Sequence, residues 1–452
     1  MAKFNRENVL RQLEFKRKWR SYSRYVYIAV PCVLCCLLCL YFAYSKFFVS
    51  EEQAVIRTTV DDFIHGDVLI GAYIDGEYSS TIPGKNDGYV VDKVSCDNGA
   101  VGKWNDNKWG LLTTNLSKRT KCNVYFKKEP ISNIIAQLDT SGKCPLMNAD
   151  GSVNVTGGEA TNGYLCKAKD AYGDSYYYRG NVTNNYVEFA GFYWRIVRIN
   201  GDGTVRVIYD GTSAHANGEA SADRQIGTSA FNSSYNDNAY VGYMYGQTGA
   251  STYAAAHANT NNSTIKAYID NWYKTNIVGT TNEQYLADNI FCNDRSISSN
   301  KPSSSYNNYG YGTNKTAYRW YYGPWSSGGY NSNMRLTCPQ KNDAFTVSDT
   351  TNGNGALTYP VGLLSTDEIV LAGGWNASNS GYYLYSGQYW RASSPSAFDG
   401  SHAYVHFVDS DGYASSINYV SGSNGVRPVF NLKAEVLAQG SGTATDPYRI
   451  SS

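Results

Sequence analysis

From Asn376 to Ser421 the chain contains no Lys, no Glu and no Met; Tyr, Ser, Gly, Asn, Asp, Ala and Val fill it instead. The surrounding stretch, Gly381 to Lys433, reads GYYLYSGQYWRASSPSAFDGSHAYVHFVDSDGYASSINYVSGSNGVRPVFNLK. Tyr gives contact area at low rotamer cost, while Ser, Gly and Asn give adaptable hydrogen bonds, which is the chemistry of recognition loops. A framework runs through it at Trp390, Ser394-Pro395, Phe398, Ala403, Val405, Asp411-Gly412 and Gly425-Val426-Arg427-Pro428. A fixed scaffold carrying such a surface points to a binder rather than a catalyst.

The 452 residues suggest two or three domains. With 42% apolar and 17% charged residues, 41 Tyr and 43 Gly, the profile fits an extracellular β-rich protein better than a cytosolic enzyme. Charge is uneven. Residues 1–24 hold eight basic and two acidic residues, whereas from Phe47 onward there are 30 basic and 36 acidic. A mildly acidic C-terminal part gives no electrostatic reason to expect nucleic acid as a partner.

Tyr25 to Tyr44 is a run of twenty residues without formal charge. Such a run, if helical, reaches across a hydrocarbon core of ~30 Å. Tyr22, Tyr25 and Tyr27 flank it on one side and Tyr41, Phe42 and Tyr44 on the other, and the basic cluster precedes it. These features predict a transmembrane signal anchor over 25–45 behind a basic cytoplasmic tail, 1–24, with the C-terminus outside the cell membrane. Cleavage near Ala43-Tyr44-Ser45 is the alternative. Cys32, Cys35, Cys36 and Cys39 fall within the run and read as small apolar fillers. The other six, Cys96, Cys122, Cys144, Cys166, Cys292 and Cys338, suggest disulfides; of the fifteen connectivities, domain boundaries favour pairing of sequence neighbours.

Residues 51–128 carry short β-prone runs separated by Asp75-Gly76, Asp87-Gly88 and Asn98-Gly99, which predicts a small all-β sandwich-like module with Trp104 and Trp109 against a Cys96–Cys122 bridge. Residues 129–174 read as a spacer with one helix over Pro130–Leu138. In 175–452, strands are expected at Tyr186–Phe189, Phe192–Ile199 and Val205–Tyr209. Helices are expected at Ser263–Thr275, from a Thr281 cap to Ile290, and at Ser365–Ala372 behind a Ser365–Glu368 capping box. Strands at both ends with helices between them predict an α+β domain. Ser299 to Tyr330 reads as a long surface loop.

In HAYVHFV, side-chain alternation predicts Ala403, Val405 and Phe407 inward and His402, Tyr404 and His406 outward. The candidate ligand-binding set is Trp390, Arg391, Asp399, His402, Tyr404, His406, Tyr413, Asn418, Tyr419 and Asn424. On a strand, His402 and His406 stand ~13 Å apart, too far for one metal. Asp409-Ser410-Asp411-Gly412 opens like a calcium loop but lacks the third carboxylate and the terminal Glu, and reads as a turn. No metal and no cofactor is expected.

At Tyr178-Arg179-Gly180, Phe192-Tyr193-Trp194-Arg195, Cys292-Asn293-Asp294-Arg295, Leu336-Thr337-Cys338-Pro339, Leu357 to Leu363 and Gly425 to Val429, the chain resembles a family of bacterial surface and phage-associated proteins. Their C-terminal domain is similar to the C-type-lectin-like fold of formylglycine-generating-enzyme-type proteins, the scaffold that diversity-generating retroelements use for hypervariable ligand-binding proteins. The resemblance covers about residues 175–450. It implies that Gly425-Val426-Arg427 is structural and that Trp390 and Ser394-Pro395 open the segment that varies in diversified members. Together with the anchor over 25–45, and with no reactive thiol pair or His cluster found, it leads to the expectation of a membrane-anchored, adhesin-like protein with a protein or glycan ligand and no enzymatic activity. The alternatives are a cell-envelope enzyme of the same fold, which needs a reactive thiol pair or a His cluster, and a structural stalk.

Overall fold

The computed structural model describes residues 11, 13–19, 68–74, 76–85, 89–106, 108–114, 120–128, 130–296, 332–374 and 378–450. The chain divides into two compact units, Met1–Lys128 and Glu129–Ser452.

The first unit is built on a four-stranded sheet in the order Glu77–Ser79, Val68–Ile74, Thr120–Lys128, Tyr89–Cys96. Val68–Ile74 runs parallel to Thr120–Lys128, and the other pairs are antiparallel. Cys96 and Cys122 face each other in register and form a disulfide. A separate hairpin, Val101–Asn105 with Gly110–Thr114, brings Trp104 and Trp109 onto Phe126, with Trp104 edge-on at 5.3 Å.

The second unit holds two larger sheets. One runs in the order Val361–Gly362, Val429–Leu432, Val205–Gly211, Phe192–Ile199, Gly173–Arg179, Tyr164–Asp170, with Tyr186–Phe189 also paired to Phe192–Ile199. The Asn200–Gly203 turn allows Phe192–Ile199 to pair back on Val205–Gly211. Trp194 lies fully buried at the centre, stacked on Phe430 at 4.5 Å. The C-terminal segment ties in here: Glu188 N–H donates to Tyr448 O and Tyr186 N–H to Gly442 O. The other sheet runs Thr228–Ala230, Ser423–Gly425, Trp390–Phe398, Ala403–Val408, Ala414–Tyr419.

Residues 129–174 are not a spacer. Tyr164–Asp170 is a strand of the first large sheet, and Leu165, Cys166 and Ala168 lie in its core. The helix there ends early, at Ile135. The helix Thr264–Asn276 is capped by Ser263, but it buries Ile265, Ile269 and Tyr273 and leaves Tyr268 at the surface. Ser365 forms the expected capping box with Glu368 for Thr366–Ala372. The expected helix to Ile290 is only a turn, Glu283–Tyr285. Sheet pairing wins beyond it: Leu286 bridges Leu432, and Ala287 N–H donates to Asn431 O at 2.7 Å.

The α+β expectation is thereby overturned: among the described residues strand dominates, 35% against 16% helix. An N-terminal transmembrane helix is not supported either, and nor is the single-pass membrane localisation that rested on it. Among the described residues no helix is long and apolar enough to cross a membrane. The run 25–45 lies outside the described residues, as does Ser299–Tyr330.

Candidate ligand-binding face

The three strands 390–398, 403–408 and 414–419 form antiparallel hairpins that carry most of the candidate residues, with Asp399, His402 and Tyr413 in their turns. At one end, the turn between Phe398 and Ala403 is knitted by Asp399. Its Oδ1 accepts the backbone N–H groups of Ser401 (2.8 Å) and His402 (2.7 Å), and its Oδ2 accepts the Tyr404 hydroxyl at 2.7 Å. His402 Nδ1 lies 3.5 Å from the same carboxylate. Burial pushes the Asp399 carboxyl up, but the Tyr404 hydroxyl and the two amides outweigh it and leave it below the ordinary range. Tyr404 itself is pushed up, by burial and by this carboxylate.

Four rings gather at this end. Tyr404 stacks on Tyr419 at 5.0 Å, His402 approaches Tyr419 at 4.9 Å, and Tyr235 lies parallel to His402 at 5.1 Å with an interplanar angle of 9°. Tyr404 is nearly covered, but Tyr235 and Tyr419 are 42% and 47% exposed, and the His402 side chain is 37% exposed. The result is a half-exposed aromatic platform on a hydrogen-bonded base. Tyr235 was absent from the sequence-derived set. Its carbonyl accepts the Ala403 N–H at 2.7 Å, a contact across 168 residues with no local signature.

Several candidate residues are not at the surface. Trp390 is buried, its ring 5.1 Å from the Arg427 guanidinium. Arg391 is fully buried. The HAYVHFV alternation also fails in its second half. Ala403 and Val405 do pack into the core, but the register shifts between Val405 and Phe407. His406 is consequently buried, while Phe407 stays covered, its ring 5.9 Å from that of the exposed Tyr389. Tyr413, Asn418 and Asn424 are half-buried; Tyr413 lies at the far turn, and only Asn418 and Asn424 lie near the platform.

The remaining titratable clusters are closed on themselves. Arg198 bonds Asp170 (2.6 Å) and Glu368 (3.2 Å), and Arg206 lies 2.7 Å from Glu368, beside a cavity of about 10 Å³. A cleft of about 450 Å³ between Gln137 and Tyr178 has Asp139 in its lining, and the Ser141 hydroxyl above all holds that carboxyl down to about 2. Cys292 and Cys338 form a disulfide, as do Cys144 and Cys166. No protein-family model, curated protein or solved structure matches this chain.

Proposed function

We propose that the second unit is an exported ligand-binding domain of the C-type-lectin-like kind, adhesin-like in role, whose protein or glycan ligand docks on Tyr235, His402 and Tyr419. The observation that carries this reading is the platform itself. Three rings are held half-exposed side by side on a sheet whose turns are fixed by Asp399. Rigid exposed aromatics on a fixed base are the common currency of binding hot spots. A further feature supports it: three disulfides suit an oxidising compartment outside the cytosol. If the domain is of the diversified kind, substitutions among sister alleles concentrate between Trp390 and Asn424.

The test is capture of ligands by the purified full chain on glycan and peptide arrays, beside the double variant Tyr235→Ala/Tyr419→Ala. Capture by the parent and its loss in the folded variant is the expected result. Undiminished capture by the variant removes the platform as the site.

A further inference from the structure

Of the eight buried arginines described in this unit, Arg195, Arg198, Arg206, Arg224, Arg295 and Arg427 each lie within ion-pair distance of a buried carboxylate, and Arg179 donates to the backbone carbonyls of Glu159, Val370 and Leu371. Arg391 differs. It pairs across the sheet with Phe407, so it shares the outer face and not the face of its neighbour Trp390. There it runs under the Tyr419–Gly422 turn. Its Nη2 donates to Asn418 Oδ1 (2.9 Å), Tyr419 O (2.8 Å) and Gly422 O (2.5 Å). These acceptors are neutral. Its Nε and Nη1 are buried without an acceptor.

Two more orphaned donors flank the same turn. One is Nδ2 of Asn232, whose backbone N–H donates to Val420 O; the other is Nδ2 of Asn424. One orphaned acceptor, Gln225 Oε1, lies against Gly425. The turn is therefore rich in unused donors over an uncompensated cation. Burial alone lowers the Arg391 guanidinium, to about 9, so it is charged at neutral pH. A charge in low-dielectric surroundings keeps its field, which here reaches the surface beside the Tyr419 ring. The carboxylate at the platform, Asp399, already accepts two amides and a hydroxyl.

Building on the ligand-binding reading, we propose that the platform selects an acidic saccharide, with a sugar ring against Tyr235 and Tyr419 and its carboxylate toward the Tyr419–Asn424 turn above Arg391. Aromatic faces alone attract cations, but an unneutralised guanidinium beneath them opposes a cation and favours an anion. The size of the face argues for a sugar. A protein partner covers ~800 Å² on each side, whereas the exposed part of this face is three rings, the dimensions of one or two pyranoses. A peptide has a different route, backbone pairing along Ala414–Tyr419, an edge strand among the described residues that Gly374 engages at Ala414 alone, and that route does not depend on the charge of Arg391.

The experiment uses the full chain on immobilised oligosaccharides in matched pairs, one member carrying glucuronate where the other carries glucose, with acidic peptides alongside. The acidic member is expected to be captured on the order of tenfold more strongly. In Arg391→Gln, folded by circular dichroism, the preference is expected to fall below about twofold. Should that variant misfold, the parent protein's discrimination within each pair decides. Equal capture of both members overturns the acidic preference and leaves the aromatic face standing as the site. Capture of peptides but neither saccharide overturns the sugar. Full capture by Tyr235→Ala/Tyr419→Ala overturns both this proposal and the reading beneath it.

Discussion

Two groups of buried arginines hold the second unit, and they do different work. Where the two large sheets meet, Asp210 accepts from Arg224 and Arg427 at 2.8 Å each, and Arg195 lies 3.8 Å from its other oxygen. The surplus positive charge is spread over carbonyls and rings: Arg427 donates to Tyr209 O and Leu384 O, Arg224 to Tyr383 O, and Arg195 lies 3.8 Å over Tyr186. These contacts join segments from Tyr186 to Arg427 and so cross-link the scaffold. In the outer sheet, Arg391 has no carboxylate and ties down one turn. The first arrangement trades desolvation for rigidity across the whole unit; the second leaves charge unspent beside an exposed surface. Damage to the first should therefore register as lost stability, and damage to the second as altered binding.

The largest effect is expected from Asp210→Asn. It removes the one carboxylate shared by three fully buried guanidinium groups. Leaving buried charge uncompensated costs ~3–5 kcal/mol, a large fraction of the ~5–15 kcal/mol that holds an ordinary domain. Denaturant titration of the full chain, followed by tryptophan fluorescence, measures it. Loss of less than about 1 kcal/mol would mean that the carbonyls and rings neutralise the arginines without the carboxylate, and the contrast with Arg391 would collapse.

Next in size is the Cys292–Cys338 disulfide, which closes a separation of 46 residues. Chain entropy for such a loop gives ~4 kcal/mol as an upper figure. The bridge abuts the outer sheet, because the Ser393 hydroxyl donates to Cys292 O at 2.6 Å and Asn293 Nδ2 to Ser393 O. A Cys292→Ser/Cys338→Ser double variant is expected to lower the midpoint of unfolding and leave ligand capture intact well below it. If capture is lost while the midpoint holds, the bridge belongs to the binding half of the comparison.

The sequence was readable wherever local chemistry decided the outcome. The Asn200–Gly203 turn, the Phe192–Ile199 strand, the Ser365 cap and the three neighbouring disulfides each depend on residues close together in the chain. The structural role of Arg427 was legible only through the resemblance at Gly425–Val429, because its partners Tyr209, Asp210 and Leu384 lie far away in the chain. What was not readable depended on partners far away or on one extra residue in a strand. A bulge between Val405 and Phe407 moves His406 inside. Tyr235 joins the platform only through Ala403. Thr281 and Glu283 promise a cap, but the edge of the Val429–Leu432 strand claims Leu286 and Ala287 first. Arg391 resembles a surface hot spot in sequence, and only the turn folded over it shows otherwise.

Removing single rings should separate the two regions cleanly. Tyr235→Ala and Tyr419→Ala are each expected to weaken capture by ~2 kcal/mol. Because both side chains are half-exposed, the cost to folding should stay within about 1 kcal/mol. Binding isotherms and melting curves on the same preparations check both halves of the statement. A melting point that falls as far as in Asp210→Asn would place these rings in the scaffold.

The smallest effect expected is that of Asp399→Asn, and its pH dependence is the informative part. The Asp399 carboxyl is below its ordinary value of 3.8 in the folded chain, with burial opposing the shift and the Tyr404 hydroxyl and the Ser401 and His402 amides driving it. A carboxyl depressed on folding contributes stability that is fully present above the unfolded value and is lost as pH falls through the folded one. The parent should therefore exceed Asp399→Asn by ~1 kcal/mol at pH 7, and the difference should shrink below pH ~4. Saccharide or peptide capture should weaken in the variant by a similar amount, since His402 and Tyr404 lose the group that orients them. A difference in stability that stays constant from pH 7 to pH 3 would show that the carboxylate's charge plays no part, and that the turn is held by shape and amide geometry alone.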